Sequence, residues 1–152
     1  LGKEVRLKNA YIIKAESCLK DGDGNITEVH CTYDIESKSG SGTEASMRKV
    51  KGTLHWVSEP HALAAEVRLY DRLFQVPAPD QDKEVDFKSH VNPSSLSVIK
   101  AYVEPSLKTA KAFENFQFQR LGYFVVDADS DNNKLVFNKT VGLRDTWAKQ
   151  NN

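Results

Sequence analysis

The sequence predicts an all-β protein, and three observations carry that reading. Apolar and polar residues alternate with period two over several stretches, the mark of strands with one buried face. Clusters of Gly, Asp, Asn, Ser and Pro separate these stretches and supply the residues that turns need. The strands recur at roughly 8–12-residue spacing, the rhythm of a barrel or a sandwich.

Val5, Leu7, Tyr11, Ile13 and Ala15 share one parity, and Arg6, Lys8, Lys14 and Glu16 the other, which predicts a strand with one buried face. Asp21-Gly22-Asp23-Gly24-Asn25 tolerates positive φ and should reverse the chain. Val29, Cys31 and Tyr33 then alternate with Glu28, His30 and Thr32 on the return. The Ser-, Gly- and Thr-rich stretch 36–46 reads as a mobile loop. A basic patch, Arg48-Lys49-Val50-Lys51, leads into a further strand over 52–58. Pro60 to Ala65 could hold a helical turn, and Glu66 to Phe74 alternates again. The stretch Val76 to Asp86 carries two prolines and several acids and is the linker candidate, dividing the chain into 1–75 and 76–152. Leu96 to Val103 reads as a strand, Pro105 to Ala112 as a helical turn, and Phe116 to Val126 as a long β-type run. A polar turn from Asp127 to Asn133 precedes the last strand, Leu135 to Leu143.

Composition narrows the function. The 152 residues include 21 basic and 21 acidic side chains, so any nucleic-acid-binding surface must be local rather than global. No long apolar run or basic-then-apolar leader appears, which favours a cytoplasmic protein without a membrane span. The strand pattern starts almost at Leu1, as expected of a chain that begins inside a longer protein. Cys18 and Cys31 flank the Asp-Gly turn, fit no metal spacing and are expected to be reduced.

Few constellations suit catalysis. Asp127-Ala128-Asp129-Ser130-Asp131 opens like a calcium loop, but Asn132 stands where the loop needs Gly and Asn138 where it needs a bidentate carboxylate. His30, His55, His61 and His90 are scattered without ligand spacing, so no metal is expected. No Gly-rich phosphate loop opens a helix. Two polar surfaces are more informative. Arg6, Lys8 and Lys14 share parity with Ala10, so cations could hold phosphates around a small residue that a base can approach. Phe116-Gln117-Phe118-Gln119-Arg120 sets amides and a guanidinium beside aromatics, a combination able to hydrogen-bond and stack unpaired bases. Each also has a plain reading, as the solvated face of an ordinary strand.

The segments VRLKNAYIIKAE, DGNITEVHCTYD, RKVKGTLHWVS, AEVRLYDRLF, NPSSL, EPSL, FQFQRLGYF and VFNKTVGLRDTWAK occur in this order along nearly the whole chain. This ordered set resembles the C-terminal region of bacterial-type glutaminyl-tRNA synthetases. The resemblance implies two small antiparallel β-barrels of the ribosomal-protein-like, anticodon-binding type. The distal one would occupy 1–75, and 76–152 would supply the later strands of the proximal one, left incomplete. It implies part of a class I, ATP-dependent glutamine–tRNA ligase whose partner is the anticodon loop of glutamine tRNA and whose parent enzyme is a monomer. The HIGH-type and KMSKS-type motifs of the family's catalytic half are absent from this chain. The chain alone is therefore expected to be inactive and free of cofactors, with ATP and magnesium used by the parent enzyme.

Residue by residue, the resemblance places Arg6 and Ala10 at the first anticodon base, and Gln117 and Arg120 in the proximal barrel, with Gln117 at the middle uridine. Lys8 and Lys14 would support phosphates. Gln117 and Arg120 are three apart, so a regular strand would point them to opposite faces; a bulge between them is the expected remedy. Two other readings stand beside this one: a free-standing RNA-binding barrel of ribosomal-protein type, and a protein-interaction β-domain without an RNA role.

Overall fold

The computed structural model describes residues 1–131 and 133–143, and is all-β apart from short helical turns. Asn132, and the family-like segment from Arg144 onward, lie outside the described residues. Contacts divide the chain into two units, Leu1–Trp56 and the residues from Val57 onward.

The first unit is a four-stranded sheet of β1 (Glu4–Leu7), β2 (Ile12–Lys20), β3 (Ile26–Asp34) and β4 (Thr53–Leu54), in the order β3-β2-β1-β4. The β1–β2 and β2–β3 pairs are antiparallel, and β4 joins β1 in parallel. The stretch read as one strand from Val5 to Ala15 is thus two strands. A tight turn over Lys8-Asn9-Ala10 separates them, with Asn9 at φ 57 and Leu7 N donating to Tyr11 O at 2.9 Å. Alternation could not reveal this turn. The register pairs Val5 with Ile13 and Arg6 with Ile12, so odd faces odd, even faces even, and parity runs unbroken through the reversal. The second turn was legible: Asp21 Oδ1 accepts from the N–H groups of Asp23 and Asn25, as short acidic side chains do in turns.

The polar stretch after β3 is held in place rather than loose. It contains a 3-10 turn, Ile35–Ser37, and a single helical turn, α1 (Glu44–Met47), capped by Thr43 Oγ1 accepting from Ser46 N. Ser37 is wholly buried; its Oγ accepts from Ile12 N at 2.7 Å and donates to Asp34 O at 2.6 Å.

The second unit is a five-stranded sheet of β5 (Leu63–Tyr70), β6 (Leu96–Val103), β7 (Asn115–Phe118), β8 (Gly122–Val126) and β9 (Leu135–Val141), in the order β6-β5-β9-β8-β7. All ladders are antiparallel except β5–β9. One face carries the core: Ala65, Val67, Val103, Phe124, Val126 and Phe137 are buried, with Phe116 and Phe118 packed against them. Phe118 stacks on Phe124 at 4.4 Å between centroids and meets Phe137 edge-on at 5.2 Å.

Two sequence expectations change here. The run Phe116 to Val126 is a hairpin, not one strand, because the chain reverses over Gln119-Arg120-Leu121. The division expected at Gln75/Val76 also differs from the division of contacts, since β5 pairs with β6 and β9. The acidic, proline-bearing stretch Val76 to Asp86 therefore lies in an excursion between two paired strands of one sheet. The base of that excursion is closed by Gln75 N to His90 O at 2.9 Å and Asn92 N to Leu73 O at 2.8 Å.

Candidate nucleic-acid interface

Each unit holds one of the two polar surfaces singled out in the sequence. In the first unit, Arg6 on β1 shares a sheet face with its register partner Ile12 on β2, and this face is covered by the loop after β3 rather than by solvent. Its guanidinium donates to Ser37 O (3.1 Å), Ser39 Oγ (3.3 Å), Ser46 O (2.8 Å) and Arg48 O (3.2 Å). Arg6 is thus the hub that fixes the loop. Ala10 is only 9% exposed, and its carbonyl accepts from both Ser39 N and Ser39 Oγ at 2.8 Å. The expected open strand face with Ala10 among cations is therefore replaced by a backbone corner packed under Ser39. Ile12, apolar on the nominally polar parity, was the signal in the sequence that this face is covered.

The remaining cations divide by partner. Lys14 pairs with Glu16 at 3.1 Å on the surface, and this ammonium holds the Glu16 carboxyl below its usual range. Arg48 is bound by Glu4 and by Asp34, the latter at 3.0 Å, and the Glu4 hydrogen bond chiefly raises its pKa. Among the described residues Lys8 has no ion-pair partner, and its carbonyl accepts from the Trp56 indole at 3.0 Å. Exposed Lys49 and Lys51 flank the same edge of the sheet, where Arg6 N bonds Gly52 O at 3.2 Å.

In the second unit, Gln117 sits on β7 facing away from the core, between the inward-facing Phe116 and Phe118. Those two rings pack into the interior and do not offer the open faces that the sequence suggested for stacking. Gln117 pairs in register with Tyr123 on β8, and paired residues point to the same face. Among the described residues the Gln117 amide makes no hydrogen bond. Arg120 occupies the third position of the turn Phe118–Leu121, closed by Leu121 N to Phe118 O at 2.9 Å, with φ at 66. No bulge in β7 re-aims it; the strand ends at Phe118, so strand parity no longer governs Arg120.

The outer face continues into a polar network. Arg68 on β5 binds Glu66 (2.9 Å), Asp127 (3.2 Å) and Asp129 (2.8 Å), and Lys134 binds Glu66 at 2.9 Å. Asn138 donates to Asp127 and accepts from the Tyr70 hydroxyl at 2.9 Å. The Asp129 N–H, then the Asn138 amide, hold the Asp127 carboxyl below its usual range; Lys134, then Arg68, do the same for Glu66. The acids of the calcium-like loop are therefore turned to Arg68 and to their own backbone. A hollow of about 330 Å³ lined by Glu66, Lys100 and Lys134 lies at the β5–β6 edge, opposite the β7 edge that carries Gln117.

Comparison with known proteins gives the chain a class. Residues 1–34 and 53–127 match two family descriptions with the same wording, the anticodon-binding domain of class I tRNA synthetases (E and Q). The chain belongs to this family. It is 56% identical to the glutamine–tRNA ligase of Vibrio parahaemolyticus over 153 residues, covering 100% of this chain and 27% of that protein. It is 56% identical to the glutamine–tRNA ligase of Proteus mirabilis over 149 residues, and 57% identical to that of Salmonella newport over 150 residues. Each of those two matches covers 98% of this chain and 26% of the relative. The chain thus spans about a quarter of the length of the curated relatives it matches. Neither the ribosomal-type barrel nor the protein-interaction domain is favoured by these matches. Among the described residues, no helix is long and apolar enough to cross a membrane.

Proposed function

We propose that this chain is the anticodon-gripping part of a glutamine–tRNA ligase, binding the anticodon loop of glutamine tRNA while the rest of that enzyme joins glutamine to the tRNA with ATP and magnesium. The observation that carries the reading is Gln117: an outward amide on a rigid strand, unbonded among the described residues, in a chain of this family. An amide presents a donor and an acceptor side by side, matching the edge of an unpaired base. A wrong base leaves those groups unpaired at a cost of about 1–3 kcal/mol, which is how a binding site becomes a discriminating one.

Within this reading Gln117 contacts the middle base, and Arg120, on the adjoining turn, reaches the same nucleotide or its phosphate. Lys8 is the better phosphate contact of the first unit, because Lys14 already faces Glu16. Arg6 serves as a positioning residue, holding Ser39 over Ala10 so that the backbone corner keeps its shape for the first anticodon base. The parent enzyme acts as a cytoplasmic monomer. The test is anticodon stem-loop binding by the full-length protein that carries this chain. Gln117→Ala should relax discrimination at the middle base by about 5- to 150-fold. Unchanged discrimination would remove Gln117 from the site.

A further inference from the structure

We infer that Tyr123 is the stacking platform for the unpaired base that Gln117 contacts. The inference rests on the reading of Gln117 given above and adds a residue that sequence patterning did not single out. Seven aromatic side chains stand on the five strands of the second unit: Tyr70, Tyr102, Phe116, Phe118, Tyr123, Phe124 and Phe137. The four phenylalanines pack together on the core face. Tyr70 spends its hydroxyl on Asn138, and Tyr102 lies under the Lys100 ammonium at 5.3 Å. Among the described residues, Tyr123 is the one of the seven with neither a ring contact nor a side-chain hydrogen bond, and it is 45% exposed.

Its place gives that exposure a use. Gln117↔Tyr123 is a direct cross-strand pair, so the two side chains leave the sheet side by side on one face, with Cβ atoms about 5 Å apart. A base laid on the phenol ring would present its edge to the neighbouring amide. Stacking supplies affinity to any base, and the amide supplies choice among bases. The pair is also held firmly from behind. Phe116 and Phe124, register partners on the opposite face, anchor the two strands in the core, and Thr140 Oγ1 donates to Tyr123 O at 3.0 Å.

The test uses the full-length protein and an anticodon stem-loop RNA carrying 5-iodouridine at the middle anticodon position, which crosslinks on irradiation to an aromatic ring stacked on it. The expected result is a crosslink on Tyr123, located by peptide mass spectrometry. Tyr123→Ala should weaken binding about 5- to 150-fold, whereas Tyr123→Phe and Tyr123→Trp should stay within about twofold of the parent. Three results would each overturn the inference: wild-type affinity in Tyr123→Ala, a loss in Tyr123→Phe as large as in Tyr123→Ala, or a crosslink mapped to another residue. If any of these occurs while Gln117→Ala still relaxes discrimination, the Tyr123 assignment falls alone. If the unaltered protein does not bind the stem-loop, the reading of Gln117 falls with it.

Discussion

Gly122 lies so close to Val141 that a Cβ on Gly122 would sit 2.5 Å from the Val141 carbonyl oxygen. Its φ of 145 is, in addition, a conformation that side chains with a Cβ rarely adopt. Both constraints act at the first residue of β8, immediately after the turn that carries Arg120 and one residue before Tyr123. Gly122→Ala is therefore expected to cost about 3 kcal/mol, combining backbone strain with a backbone clash. Thermal or urea unfolding checks this. A loss under about 0.5 kcal/mol, the range of a neutral surface change, would show that β8 and β9 can part without penalty.

Arg6 offers a choice between two roles. A phosphate contact would make the salt dependence of RNA binding shallower when Arg6 is removed. The structure commits the guanidinium to four oxygens of its own loop. Arg6→Ala should therefore lower stability by about 2 kcal/mol, the scale of lost charged hydrogen bonds, and leave the slope of log affinity against log salt unchanged. Denaturant titration and binding at several salt concentrations separate the two. A slope reduced by about one unit at unchanged stability would return Arg6 to the phosphates.

The depressed carboxylates around Arg68 bear on how the second unit should respond to acid. Asp127 titrates below its ordinary value of 3.8 in the folded state, because the Asp129 N–H and the Asn138 amide bond its charged form. A depressed carboxylate contributes stability that is full above the unfolded value and is lost as pH falls through the folded one. The parent protein should accordingly lose melting temperature below about pH 4. Asp127→Asn should melt lower at neutral pH and show a flatter decline in acid. Parallel curves for the two proteins would mean that Asp127 is not part of the acid response.

How much of this could be read from residues alone varies with the range of the interaction. The β2–β3 hairpin was legible because Asp21 and Asn25 lie beside the strands they join. Gln117 was legible as a polar residue between two phenylalanines, and the structure keeps that outward placement. Its neighbour Tyr123 was not, because the pairing depends on a turn that the continuous run of strand formers concealed. The first turn was hidden for a subtler reason, the odd-with-odd register that preserves parity. The placement of β5 was out of reach: its parallel ladder joins Ala65 to Leu135, and no local pattern reports a pairing so distant.

The Arg6 hub also has a consequence for the order in which the first unit can assemble and open. Its four acceptors lie 31 to 42 residues along the chain, so tying the knot closes a longer loop than the local β2–β3 hairpin does and is expected to follow it. Segments closed last at such an entropic cost are also those released first when a domain breathes. Amide exchange in the native protein should therefore find residues 38–48 unlatching together, as one cooperative flap, while Ile12 and its strand neighbours stay protected until the whole unit unfolds.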